Sequence, residues 1–124
     1  MFGRKWRITI ISAKVKTTNN GSPWDLASSP PDPYFELTIG GAKVTSNTKS
    51  DTYSPVWNAY SEGILNTNTA VSIFVYDEDI GPDHFIDSWV YKSGVSSSDL
   101  SLRDVTMNNF TGGLLELKVK FEPQ

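Results

Sequence analysis

Apolar and polar positions alternate every second residue along much of this chain, which is the pattern of strands that bury one face. Near the start, Trp6, Ile8 and Ile10 alternate with Arg7 and Thr9. The alternation is clearest near the end, where Leu115, Leu117, Val119 and Phe121 face one way and Glu116, Lys118, Lys120 and Glu122 face the other. No apolar run of ordinary helix length has a helical period, so the pattern predicts an all-β fold.

Turn signals divide the chain into short strands. We predict strands over 5–15, 34–39, 42–49, 56–65, a run ending at Tyr76, 85–91 and a last strand ending near Glu122. Gly40 and Gly41 supply the tight hairpin between the second and third of these strands. Trp57 is the predicted core anchor of its strand, and residues 96–100 predict one helical turn capped by a serine. The spacing predicts an eight-stranded antiparallel β-sandwich, with residues 1–124 forming a single domain.

Residues 76–87 read YDEDIGPDHFID and follow an apolar run that predicts a buried strand. They place five acidic residues close together at a strand end: Asp77, Glu78, Asp79, Asp83 and Asp87. Carboxylates crowded on one loop repel one another unless a cation lies between them. Oxygen ligands without cysteine favour a hard cation, and a flexible set of many oxygens suits calcium better than magnesium. A solvated acidic loop without metal is the alternative.

A second acidic segment lies earlier in the chain. Residues 16–33 read KTTNNGSPWDLASSPPDP, which is long for a structureless connection in a small domain. Loops of this length are usually functional or disordered, and this one carries Asp25 and Asp32. The prolines around Asp32 stiffen the backbone at that position.

Composition narrows the function classes. The chain of 124 residues has no cysteine, which excludes a disulfide scaffold, a thiolate metal site and a cysteine nucleophile. The formal net charge is −3 and the basic residues are scattered, so we expect no nucleic-acid partner. The start has no signal-peptide apolar stretch, and no segment is long enough to span a bilayer. We therefore expect a soluble or peripheral membrane protein, without a prediction of its compartment.

Four segments together resemble a known family. They are WRITIISAKV at 6–15, DPY at 32–34, SPVWN at 54–58 and VYDED at 75–79. Their order and spacing are similar to those of a C2 domain, the calcium-dependent phospholipid-binding β-sandwich, and the match runs from about Trp6 to Glu122. The start and the end of the chain resemble the phospholipase-type permutation of that fold.

The resemblance implies a set of calcium ligands. They are Asp25 and Asp32 from the first loop, and Asp77, the backbone carbonyl of Glu78, Asp79 and Asp83 from the acidic loop. Two positions depart from the family pattern. His84 stands where the last aspartate is often found, so Asp83 has to reach from one residue earlier, and Asp87 replaces the usual glycine. One calcium site is therefore better supported than the second, which depends on Asp83.

The same resemblance implies an anionic phospholipid membrane as partner. Two bound calcium ions would change the formal charge from −3 to +1, and lipid phosphate could complete the metal coordination. Four apolar residues beside the acids are predicted to contact the membrane: Trp24, Leu26, Ile80 and Phe85. Trp24 could instead fold back on the sandwich, and Phe85 could instead pack at the start of a strand.

Other functions remain open or are set aside. The main alternative is a protein–protein interaction domain in which calcium is structural or absent. A calcium-stabilised carbohydrate-binding sandwich has little support, because the tryptophans are scattered. An EF-hand fails, because its sixth position is Pro82 and its twelfth is Ser88. We expect no enzyme activity, since the single histidine has no serine or cysteine motif to serve.

Overall fold

Two four-stranded antiparallel sheets pack face to face in this computed structural model, which describes residues 2–19, 21–24 and 29–124. One sheet has the order β4-β1-β8-β7 and the other the order β3-β2-β5-β6. The strands are β1 (Arg4–Val15), β2 (Pro33–Ile39), β3 (Ala42–Thr45), β4 (Val56–Leu65), β5 (Val71–Asp77), β6 (His84–Tyr91), β7 (Asp104–Met107) and β8 (Leu114–Pro123). The predicted eight-stranded antiparallel β-sandwich is confirmed.

Two strands differ from the sequence prediction by more than one residue. The strand β7 was not predicted, because it is only 4 residues long and too short to show a clear alternation. The strand β3 ends at Thr45 rather than Lys49. It ends there because the Ser46 hydroxyl accepts a 2.9 Å hydrogen bond from Phe35 N, which satisfies a donor that a longer strand would have paired.

The core lies between the sheets and follows the predicted alternation. Trp6, Phe35 and Phe121 are among its largest fully buried side chains. Trp57 is also buried, and its ring meets Phe35 edge to face with 5.1 Å between centroids. Its indole nitrogen donates a 3.1 Å hydrogen bond to Asn47 O, so the polar edge of the ring is satisfied. The predicted anchor role of Trp57 is confirmed.

The predicted helical turn is also present. The helix α1 (Ser97–Leu102) begins after Ser96, whose hydroxyl accepts a 3.2 Å hydrogen bond from Asp99 N. A serine in this position satisfies one of the backbone donors that every helix leaves free at its start. Leu100 is the buried residue of this helix.

Four connections meet at one end of the sandwich: 16–32, 46–55, 78–83 and 108–113. Backbone hydrogen bonds join them, for example Glu78 N to Asp32 O at 3.0 Å and Lys16 N to Gly113 O at 2.8 Å. We call this end, which carries most of the predicted metal ligands, the acidic end. Because neighbouring strands run in opposite directions, connections distant in the chain are brought together here.

Candidate metal centre

Asp77 is a fully buried carboxylate of the acidic end. It is the last residue of β5, and its side chain is completely shielded from solvent. The register pairs Asp77 with Pro33 on one side and with His84 on the other. Asp32 N donates a 2.8 Å hydrogen bond to Asp77 Oδ1, which fixes the orientation of the carboxylate. A buried carboxylate needs donors or a cation to offset its loss of hydration.

Asp77 forms a cluster with Asp79 and His84. Each of the three offers one ligand atom, and these atoms lie within 4.8 Å of one another. The Asp79 Oδ2 atom is 2.5 Å from His84 Nδ1. This oxygen is buried, and its close contact with the imidazole lacks the alignment of a hydrogen bond. A cation bound between these side chains would satisfy that oxygen, and the donor set therefore fits a metal ion.

Asp32 and Glu78 use their side chains differently. Asp32 Oδ1 accepts a 2.8 Å hydrogen bond from Asp51 N, in the connection between β3 and β4. Glu78 Oε2 accepts a 2.5 Å hydrogen bond from Thr48 Oγ1, in the same connection. The two carboxylates thus link the connections 16–32 and 78–83 to the connection 46–55. Asp25, the remaining predicted ligand of the first loop, lies outside the described residues.

Asp83 is bound to the outer face of the β3-β2-β5-β6 sheet. Its Oδ2 accepts a 2.6 Å hydrogen bond from the Tyr34 hydroxyl, and its Oδ1 accepts a 3.0 Å hydrogen bond from Asp79 N. The bond from Tyr34, followed by that from Asp79, lowers the pKa of Asp83. Burial and then the same bond raise the pKa of the Tyr34 phenol. The predicted role of Asp83 in a second calcium site remains a prediction.

Asp87 has a separate role from the other acids of its segment. The structure places it in β6, where it is buried and contacts the connection between β7 and β8. Its Oδ2 accepts hydrogen bonds from Gly112 N at 2.9 Å and Leu114 N at 3.2 Å, and its Oδ1 accepts one from Ser88 N at 2.9 Å. Three amide donors satisfy a buried carboxylate without any metal.

The apolar residues predicted to contact a membrane divide into two groups. Ile80 is fully exposed at the tip of the acidic loop, and Phe85 is 51% exposed. Trp24, in contrast, is only 5% exposed, and its indole nitrogen donates a 2.7 Å hydrogen bond to Lys16 O. The ring is folded back on the sandwich, which is the alternative to the predicted membrane contact of Trp24. Leu26 lies outside the described residues.

Sequence reasoning missed a cluster of aromatic rings on the outer face of the β3-β2-β5-β6 sheet. Tyr34 stacks on Tyr76 with 5.4 Å between centroids, and Phe85 meets Tyr76 at 6.0 Å and Phe74 at 5.9 Å. The signal was present, since Phe74 and Tyr76 occupy the outward positions of β5. The apolar run predicts a buried strand and does not by itself indicate which of its side chains point outward.

The fold and the acidic end define a class of protein, a β-sandwich whose connections gather acidic residues at one end. The family model of the C2 domain matches residues 4–104. The chain therefore belongs to the C2 domain family. No curated protein sequence matches it.

Solved structures with the same fold agree with that assignment. The calcium-bound tandem C2 domains of extended synaptotagmin 2 match with a TM-score of 0.71 and 21% identity, covering 98% of this chain and 46% of that one. Human GIVD cytosolic phospholipase A2 matches with a TM-score of 0.74 and 24% identity, covering 96% of this chain and 16% of that one. A single C2 domain of plant extended synaptotagmin 1 matches with a TM-score of 0.63 and 14% identity, over 100% and 98% of the two chains.

The chain thus spans less than half the length of the first two of these structures. Within its described residues, no helix has the length and apolar character needed to cross a bilayer.

Proposed function

We propose that this C2 domain binds calcium at its acidic end and docks there on anionic phospholipid membranes. The observation that carries the proposal is the position of Ile80. Its fully exposed side chain follows directly after Asp79, whose buried oxygen lacks an aligned donor. An exposed apolar tip beside a cluster of carboxylates fits a surface that carries both phosphate and hydrocarbon, once a cation is bound between them.

Each residue of the site has its own role in this proposal. Asp77 and Asp79 supply the carboxylate oxygens that calcium prefers, while the His84 ring lies beside Asp79 and is not a calcium ligand in this proposal. Bound calcium supplies positive charge and open coordination positions for lipid phosphate. Ile80 and Phe85 then enter the apolar part of the interface. Burial of one such side chain contributes about 1.5–3 kcal/mol.

Calorimetric titration with calcium and sedimentation with phosphatidylserine-containing vesicles test the two steps separately. We expect Asp79→Asn to abolish both calcium binding and sedimentation, because the carboxylate oxygen that faces the cation is lost. The matched control is Asp104→Asn, which removes an exposed acid from β7 and should change neither. If Asp79→Asn keeps the calcium affinity of the unchanged domain, the metal site is elsewhere.

The membrane step has its own pair of variants. Ile80→Ala should weaken vesicle binding while leaving calcium affinity in solution unchanged, since the side chain contacts no part of the site. Ile64→Ala removes an equally apolar side chain that is 50% exposed on β4, away from the acidic end, and is the control. Equal effects of the two variants on sedimentation would contradict a specific docking surface.

A protein-interaction domain is the second candidate, and the aromatic cluster favours it. The rings of this cluster are half-buried except for the exposed Phe85, and aromatic side chains are enriched at protein interfaces. A domain that binds calcium tightly but is retained by no vesicle composition would support this function instead. In neither candidate do we assign a catalytic residue.

A further inference from the structure

A groove of about 230 Å³ lies at the acidic end, and none of its lining residues belongs to the candidate metal centre. Lys16, Thr18 and Asn19 line it from the first connection. Phe85 and the glycine pair 112–113 line it from β6 and from the connection between β7 and β8. The groove therefore combines one cationic side chain, two polar side chains, one aromatic wall and the aliphatic side chain of Ile86.

Lys16 sets the charge of this groove. It is the only lysine or arginine in the connections 16–32, 78–83 and 108–113. Within the described part of the chain, no acidic side chain forms an ion pair with it. Both backbone polar groups of Lys16 are hydrogen-bonded. Lys16 N donates to Gly113 O at 2.8 Å, and Lys16 O accepts from Trp24 Nε1 at 2.7 Å. The ammonium group is thus attached to a well-held segment, and an anion is its complementary partner.

The surrounding residues narrow the kind of anion. The side chains of Thr18 and Asn19 are hydrogen-bond donors that contact none of the described polar groups at bonding distance, so they can bind phosphate oxygens. Phe85 adds an aromatic wall that is half exposed, which a free inorganic anion would not use. A phosphate that continues into an apolar chain uses both parts of the groove.

We propose that this groove binds the phosphodiester of a phospholipid headgroup, with Lys16 paired to the phosphate and Phe85 against the glycerol and first acyl carbons. The inference rests on the proposed membrane docking and adds a lipid contact that does not involve the metal. Thr18 and Asn19 donate hydrogen bonds to the remaining phosphate oxygens. The groove and the metal centre then contact different lipid molecules of the same surface.

Vesicles made of equal parts phosphatidylcholine and phosphatidylserine, in saturating calcium, test the proposal. Lys16→Gln should weaken vesicle binding about tenfold, the loss of about 1.4 kcal/mol. The matched control is Lys14→Gln, which removes the same charge from an exposed position of β1 outside the groove. It should weaken binding by less than about threefold, as expected for a charge that acts only through the general field near the membrane.

A second pair of variants keeps the test independent of Lys16. Thr18→Glu places a negative charge in the groove, whereas Thr17→Glu places the same charge on an exposed neighbour that does not line it. We expect only the first substitution to weaken vesicle binding about tenfold, with melting temperature and calcium affinity unchanged in both. Equal losses within each pair would overturn the groove while leaving the proposed function intact.

The remaining outcomes are also decisive. If the unchanged domain binds calcium but no vesicles, the proposed docking fails, and the groove proposal fails with it. Short-chain phosphatidylserine below its micelle concentration should shift the amide resonances of Thr18 and Gly112. Inorganic phosphate should shift them far less. If inorganic phosphate shifts them equally, the assignment of the groove to a lipid is wrong.

Discussion

The Tyr34 hydroxyl donates a 2.6 Å hydrogen bond to Asp83 Oδ2, and this bond joins β2 to the connection that carries the candidate metal ligands. Asp83 Oδ1 in turn accepts a 3.0 Å hydrogen bond from Asp79 N. Tyr34 therefore fixes the backbone of Asp79 through the carboxylate of Asp83. The ring that does this belongs to the aromatic cluster and stacks on Tyr76.

Tyr34→Phe tests this relationship. The variant keeps the ring stacking and removes only the hydrogen bond, so unfolding in urea should show a loss of about 0.5–1.5 kcal/mol. Calcium affinity should also fall, because Asp79 is held less firmly. Tyr60→Phe is the control, since that ring lies exposed over Arg7 on the opposite sheet. Unchanged calcium affinity in Tyr34→Phe would show that Asp83 does not position Asp79.

Asp87→Asn should destabilise the domain without removing the metal site. The carboxylate satisfies backbone donors of Gly112 and Leu114, and an amide cannot replace all three of its accepted hydrogen bonds. A buried donor left unsatisfied costs about 1–3 kcal/mol, which urea unfolding would measure. Calcium titration of the folded variant should match that of the unchanged domain. Loss of calcium binding by the folded variant would instead make Asp87 part of the metal centre.

Trp24→Ala should act on stability. The indole is buried and hydrogen-bonded, and substitutions of buried tryptophan by alanine cost about 3–5 kcal/mol. Ile80→Ala should leave the melting temperature unchanged, since that side chain is fully exposed. Melting temperatures of the two variants, measured by thermal unfolding, should therefore be lower for Trp24→Ala than for Ile80→Ala. Equal melting temperatures would mean that Trp24 is exposed in solution.

Stability at high pH should depend on Tyr91. Burial, followed by its hydrogen bond to Asp99, raises the pKa of the Tyr91 phenol in the folded state. Tyrosine has a pKa of about 10 in the unfolded chain. The contribution of Tyr91 to the free energy of unfolding is therefore fully present below about pH 10 and is lost as the pH rises towards the higher pKa of the folded state. Free energies of unfolding measured between about pH 8 and 11 should fall less steeply in Tyr91→Phe. If the free energy of unfolding falls equally with pH in the unchanged domain and in Tyr91→Phe, Tyr91 does not have this role.

The sequence determined the architecture and the location of the candidate site. Alternation identified β1 and β8, because a strand that buries one face must repeat with a period of two. The position of Asp77 directly after an apolar run placed the acids at a strand end. Ser96 also identified the start of α1, since helix capping depends on neighbouring residues alone. These features are local, so a single sequence contains them.

The tertiary structure decided which side chains meet. Asp83 lies 49 residues from Tyr34, and Asp87 lies 25 residues from Gly112, so no local pattern could reveal either contact. Likewise, Trp24 is buried because Gly113 leaves room for its ring, and a Cβ there would meet Trp24 at 2.8 Å. Such contacts depend on strand order and register, which place residues far apart in the chain side by side. The acids of one short segment consequently take separate roles: Asp77 and Asp79 face His84, Asp83 binds the outer sheet, and Asp87 supports the connection before β8.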